Sequence, residues 1–114
     1  MRRKKLPTRR PMQTTKFEHD GKKYHMTVGY YDQGLTQPGE LFLNSSGRAG
    51  SETDMNASDA AIAVSLALQH GCKVSTLREA CLRDSSGAPS TPIGKALDIM
   101  DNDKPLKERK RLEI

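Results

Sequence analysis

The residues of this chain that could do chemistry are few and widely spaced. Two cysteines, Cys72 and Cys81, have eight residues between them, and the three histidines are His19, His25 and His70. The cysteine spacing is not that of a structural zinc site, and no second pair completes one. No histidine stands at a spacing that predicts a serine or cysteine nucleophile with its base. The sequence therefore predicts neither a catalytic set nor a bound metal or cofactor.

Positive charge at the N-terminal end is the clearest chemical signal. The chain carries 19 Lys and Arg against 14 Asp and Glu, a net charge of +5, and residues 1–23 hold nine of these bases with only two acids. Such a segment either contacts phosphate, on nucleic acid or a nucleotide-handling partner, or is a solvated tail. The candidate anion or partner contacts are Arg2, Arg3, Lys4, Lys5, Arg9 and Arg10.

The length of 114 residues allows one domain. We expect a basic flexible arm over 1–11, because it has too little apolar surface to offset its ordering entropy, then a domain over 12–100. The charged tail 101–114 is expected to be disordered. The longest apolar run, Ala60–Leu68, has nine residues, whereas a membrane span needs roughly 20. No secretory signal pattern is present, so the cytoplasm is the expected compartment.

The first half of the domain reads as β structure. Asp20-Gly21 predicts a two-residue hairpin turn between strands over 14–19 and 22–31, and a short third strand covers 40–43. Tyr24 and Tyr30 share one strand face, and we interpret them as core residues rather than as a platform for stacking bases. The loop 47–51 is interpreted as an ordinary connection rather than a phosphate cradle.

Ser51 is predicted to cap a helix from about Glu52 to His70, which Gly71 ends. Its core-facing stripe is predicted to be Met55, Ile62 and Leu66, widened by Ala61, Val64, Ala67 and Leu68. On that prediction Leu66→Ala costs about 2–4 kcal/mol of stability, because it leaves a cavity in a thin core.

Two shorter helices are predicted to follow. One begins near Ser75 or Thr76 with a capping box over 76–79 and Cys81 inward, and Thr91-Pro92 opens the other. Strands followed by helices predict an α+β fold: a small antiparallel three-stranded meander covered on one face by two or three helices.

Four segments together resemble the TSCPD domain family: Leu6-Pro7-Thr8-Arg9-Arg10, Gly39-Glu40-Leu41-Phe42-Leu43, Ser65-Leu66-Ala67-Leu68-Gln69-His70-Gly71 and Thr91-Pro92-Ile93-Gly94-Lys95-Ala96-Leu97. In that family the domain lies near the C-terminus of adenosylcobalamin-dependent ribonucleoside-diphosphate reductases, or forms short stand-alone bacterial proteins. The resemblance spans roughly residues 6–100.

The resemblance implies a non-catalytic accessory domain linked to deoxyribonucleotide synthesis. Its partner would be a protein, either a reductase or another nucleotide-metabolism enzyme, and a homodimer is compatible with it. The reductases' barrel, radical cysteine and cobalamin site do not fit in 114 residues, and their terminal Cys-Pro-x-Cys element is absent. No catalytic or cofactor-binding residue therefore carries over, and reductase activity of the chain alone is not expected. The alternative is a small nucleic-acid-binding module that uses the basic arm.

Overall fold

The computed structural model describes residues 2–46 and 51–102. The elements in chain order are β1 (Met12–His19), β2 (Lys22–Tyr30), β3 (Pro38–Ser45), α1 (Glu52–Gln69), α2 (Val74–Ala80) and α3 (Pro92–Asn102). The strands form one antiparallel sheet in the order β1-β2-β3. This arrangement confirms the predicted α+β fold with a three-stranded meander. The loop at 47–50 and the chain from 103 to 114 lie outside the described residues.

The β1–β2 hairpin forms as its turn residues dictate. Asp20 and Gly21 have φ values of 52° and 75°, the left-handed conformations that such a two-residue turn requires. The turn fixes the register that pairs Phe17 with Tyr24, whose rings stack with centroids 5.5 Å apart. The predicted turn is therefore confirmed.

The core lies on one face of the sheet. Tyr24, Met26 and Val28 of β2 alternate inward, and the register places Leu41 and Leu43 of β3 beside them. Tyr30 is buried as well, so the interpretation of Tyr24 and Tyr30 as core residues is confirmed. Helices close this face with small or medium side chains: Ala57, Ala61, Val64 and Leu68 from α1, and Ala96 and Leu97 from α3.

The predicted core face of α1 is wrong. Met55, Ile62 and Leu66 are 56%, 58% and 41% exposed, whereas Ala57 and Ala61 are buried. The reason is that two series of residues on α1 have the same alternating spacing of three and four. The buried series is 54, 57, 61, 64, 68, and the exposed series is 52, 55, 59, 62, 66. Ala57 and Ala61 in the buried series let the helix lie close to the sheet. The exposed series has the larger apolar side chains, together with two exposed acids, Glu52 and Asp59. Of the predicted stripe, only the widening positions Ala61, Val64 and Leu68 are buried.

Two serines hold α1 against the outer edge of β3. Ser65 Oγ accepts the Leu41 N–H at 2.8 Å and lies 3.1 Å from the Leu41 carbonyl oxygen. Two turns earlier, the Ser58 hydroxyl donates to the Leu43 carbonyl at 3.1 Å. Side chains of the helix thus satisfy backbone groups that an edge strand would otherwise leave to water.

The shorter helices follow the sequence signals unevenly. Thr91 caps α3 by accepting the Gly94 N–H at 3.1 Å, as predicted. The capping box over 76–79 is wrong, because α2 begins at Val74 after Lys73 and Thr76 lies inside it. Cys81 is the residue that ends α2, not part of a helix face. Residues 101 and 102, predicted as tail, complete α3.

Candidate interaction surfaces

The basic arm lies along the domain rather than apart from it. The Lys4 N–H donates to the Gln69 carbonyl at the end of α1 at 2.8 Å, and Arg3 Nε donates to Gln69 Oε1. Lys4 also accepts a hydrogen bond from the Tyr31 hydroxyl, and its Nζ lies 4.7 Å from the centre of the Tyr31 ring. The expectation of a flexible arm did not include these contacts, which join residues far apart in the sequence.

Arg10 is committed to a partner inside the domain. Its guanidinium pairs with the carboxylate of Glu40, a buried residue of β3, and this hydrogen bond raises the pKa of Arg10. Gly29, opposite Glu40 in the register, makes room for the pair, because a Cβ at position 29 would collide with the Glu40 side chain. Arg10 is therefore a structural residue, and its charge is already neutralised.

The six predicted contact residues thus divide into two groups. Arg3, Lys4 and Arg10 contact Gln69, Tyr31 and Glu40 respectively. Arg2, Lys5 and Arg9 are exposed and make no ion pair or side-chain hydrogen bond within the described part of the chain. Only this second group has side chains without a contact in the described part of the fold, and in the first group only Arg10 is paired with an acid.

The sequence reasoning missed an ion pair at the start of α1 between a buried carboxylate and a partly exposed lysine. Lys22 Nζ lies 2.7 Å from Asp54 Oδ1, and Lys22 also donates to the Ser51 hydroxyl that caps the helix. Lys22 is the main cause that holds the pKa of Asp54 below its ordinary value. A cleft of about 350 Å³ opens nearby, lined in part by His19, Tyr24 and Thr91. Because Asp54 neutralises the lysine, the cleft does not favour an anion.

The sulfur and imidazole groups do not assemble into a site. Cys72 and Cys81 are both free thiols, and burial raises the pKa of Cys81. His19 lies 3.3 Å from the Ser90 carbonyl oxygen, and His70 lies 2.8 Å from that of Leu66. Among residues 2–46 and 51–102, no three His, Cys, Asp or Glu side chains come together as metal ligands.

The exposed face of α1 is the most distinctive surface. Glu52, Met55, Asp59, Ile62 and Leu66 follow one another at alternating steps of three and four residues. This is the spacing at which one helix packs along another. All five are exposed, and the three apolar members stand in a line. We refer to these five residues as the α1 seam.

The α1 seam faces the same side of the molecule as the uncovered face of the sheet. A helix advances about 100° per residue, which places Ser58 and Ser65 between the buried series and the seam. The serines point at the edge of β3 and the buried series turns to the covered face, so the seam turns the other way. Phe42, which alternates with the buried Leu41 and Leu43, is 46% exposed and lies on that uncovered face.

Searches of family models, curated proteins and solved structures found no match to this chain. The resemblance to the TSCPD family therefore stays a prediction. Within the described ranges, no helix has the length and apolar character needed to cross a membrane.

Proposed function

We propose that the chain is a non-catalytic interaction module that binds a protein partner through the α1 seam and Phe42. The observation that carries the proposal is the line of Met55, Ile62 and Leu66, which are 56%, 58% and 41% exposed, whereas the opposite face of α1 is buried although its apolar residues are smaller. A line of large exposed apolar side chains on a small domain is typical of an interaction site, because holding them in water is unfavourable.

The resemblance to the TSCPD domain supports an accessory role and suggests the class of partner. A ribonucleoside-diphosphate reductase, or another enzyme of nucleotide metabolism, is the proposed partner, and the bacterial cytoplasm is the proposed setting. The module would contribute binding rather than chemistry. Each free thiol is partly buried and neither is paired with a base among the described residues.

Affinity capture from the native cell extract tests this function, with nuclease added to one half of each sample. One bait carries Leu66→Glu on the α1 seam, and a second bait carries Leu82→Glu as the matched control. Leu82 is 73% exposed and lies outside the seam, so the two variants make the same chemical change at different surfaces. We expect a captured protein that survives nuclease, binds directly after purification, and is lost only with Leu66→Glu. Equal capture by both variants would reject the seam as the binding surface.

A second candidate function is nucleic-acid binding by the arm, favoured by the unpartnered charges of Arg2, Lys5 and Arg9. Phe42 adds an exposed aromatic ring on the uncovered sheet face, of the kind on which bases stack. Replacing the three arm residues by Ala leaves the contacts of Arg3, Lys4 and Arg10 in place. If the arm binds duplex DNA, the slope of the logarithm of the binding constant against the logarithm of the salt concentration should become shallower. The expected change is about 0.9 for each phosphate that the variant no longer neutralises. Unchanged binding by the triple variant would exclude the arm.

A further inference from the structure

We infer that the α1 seam pairs with the α1 seam of a second copy of this chain, the two helices running antiparallel about a twofold axis. The inference rests on the proposed function but gives the α1 seam to a second copy of this chain in place of the reductase-class partner, so the two occupants are alternatives for one surface. It draws on the distribution of charge along the seam and on the position of the arm.

The two ends of the α1 seam carry opposite charge. Glu52 and Asp59 lie in the N-terminal half of the helix, and neither makes an ion pair with a described residue. Arg3 is hydrogen-bonded to Gln69 at the C-terminal end, and Arg2 precedes it in the exposed arm. The docking of the arm therefore gives the helix a basic end that the sequence of α1 does not itself contain.

Opposite charges at the two ends make the surface complementary to itself after a twofold rotation. With the axis between Ile62 and Leu66, Ile62 of each chain packs against Leu66 of the other. Asp59, five residues before the axis, then lies level with residue 69 of the other chain, where Arg3 is held. An isologous contact repeats every favourable pair twice, so each acidic end meets a basic end. A parallel pairing would instead place acids beside acids.

The 3-4 spacing fits a helix as the occupant better than a strand or a loop. Two helices in shallow contact align ridges of this spacing along their length. Ala63 flanks the seam, is exposed, and allows the backbones to approach. A single helix pair buries less than the roughly 1,200 Å² of stable complexes, so we expect a weak, concentration-dependent dimer.

Sedimentation equilibrium of the full chain over a wide concentration range tests the inference. We expect reversible dimerisation that Leu66→Glu and Ile62→Glu each weaken at least tenfold, whereas Leu82→Glu changes it less than twofold. Circular dichroism confirms that each variant folds, which the exposure of the three positions favours. A chain that stays monomeric up to about 1 mM would overturn the inference, because its free energy of self-association would then be weaker than about 4 kcal/mol.

Charge reversal tests the antiparallel geometry. One variant carries Asp59→Lys, and the other carries Arg3→Glu. Each alone should dimerise at least tenfold more weakly, and an equimolar mixture should recover a heterodimer whose affinity falls with added salt. A mixture no stronger than its components would overturn the antiparallel pairing.

These outcomes separate the inference from the proposed function. A monomeric chain whose captured partner still depends on Leu66 would reject self-pairing and leave the interaction module standing with a different protein. If Leu66→Glu changes neither dimerisation nor capture of a partner, both the inference and the proposed function are rejected.

Discussion

The two long faces of α1 have the same residue spacing but different side chains. The buried series 54, 57, 61, 64, 68 is made of small or medium residues with one paired acid, and the exposed series 52, 55, 59, 62, 66 has larger apolar side chains between unpaired acids. The face with less apolar bulk is the one the domain buries. Size sets how closely a helix approaches its sheet, so hydrophobicity alone does not identify the core face.

The largest expected effect falls on the buried series. Leu68→Ala should cost about 2–4 kcal/mol of unfolding free energy, because Leu68 is 7% exposed and its removal leaves a cavity beside the sheet. Urea denaturation followed by circular dichroism measures the loss. A cost below that of Leu66→Ala would reverse the assignment of the two faces.

Enlarging the smallest buried position should be nearly as damaging. Ala61 is 1% exposed, and Ala61→Leu should cost about 1–3 kcal/mol because the helix cannot move outward while its serines stay bonded to β3. Ala63→Leu, on the exposed side of the same helix, is the matched control. Equal unfolding midpoints for these two variants would show that α1 does not approach the sheet closely at Ala61.

The single acid of the buried series should make the fold sensitive to acid. Because Lys22 lowers the folded-state pKa of Asp54, the pair stabilises the protein above the unfolded value of about 3.9. That stability is lost as the pH falls through the folded pKa. We expect Asp54→Asn to be less stable at pH 7 and to lose less between pH 5 and pH 2 than the wild type. Thermal unfolding across this range measures the difference.

The smallest effect is expected where the apolar residues are exposed. Leu66→Ala should change the unfolding free energy by about 0.5 kcal/mol or less at low protein concentration, since surface substitutions rarely do more. The loss of about 2–4 kcal/mol predicted from the sequence assumed that Leu66 is buried, and the smaller value replaces it because Leu66 is exposed. A large loss measured on the monomer would show that Leu66 is buried and that the exposed face of α1 is wrongly assigned.

Local signals in the sequence predicted the elements well. Asp20-Gly21, Ser51 and Thr91 act within a few residues of themselves, and each forms the turn or cap that its type favours. The strand alternation of β2 was sufficient to place Tyr24 and Tyr30 in the core. The fold class followed from the order of these elements.

The surfaces could not be predicted, because they depend on contacts between distant residues. Pairing of Lys22 with Asp54 and of Arg10 with Glu40 joins positions about 30 apart in the chain. The one signal available was Asp54 itself, an acid at the same spacing as the two alanines, the valine and the leucine of the buried series. The two 3-4 series of α1 predict helix packing equally well, so only the tertiary structure separates the core face from the exposed one.

The hydroxyls of Ser58 and Ser65 have a consequence beyond holding α1 in place. The outer edge of a sheet offers unpaired backbone groups onto which a strand from another molecule can add, which is how sheets grow into fibrils. At Leu41 and Leu43 those groups are already bonded by the helix. At these two residues a strand from another molecule could pair with β3 only by displacing the serines of α1. Two small side chains thus protect the β3 edge against strand addition at the positions that they bond.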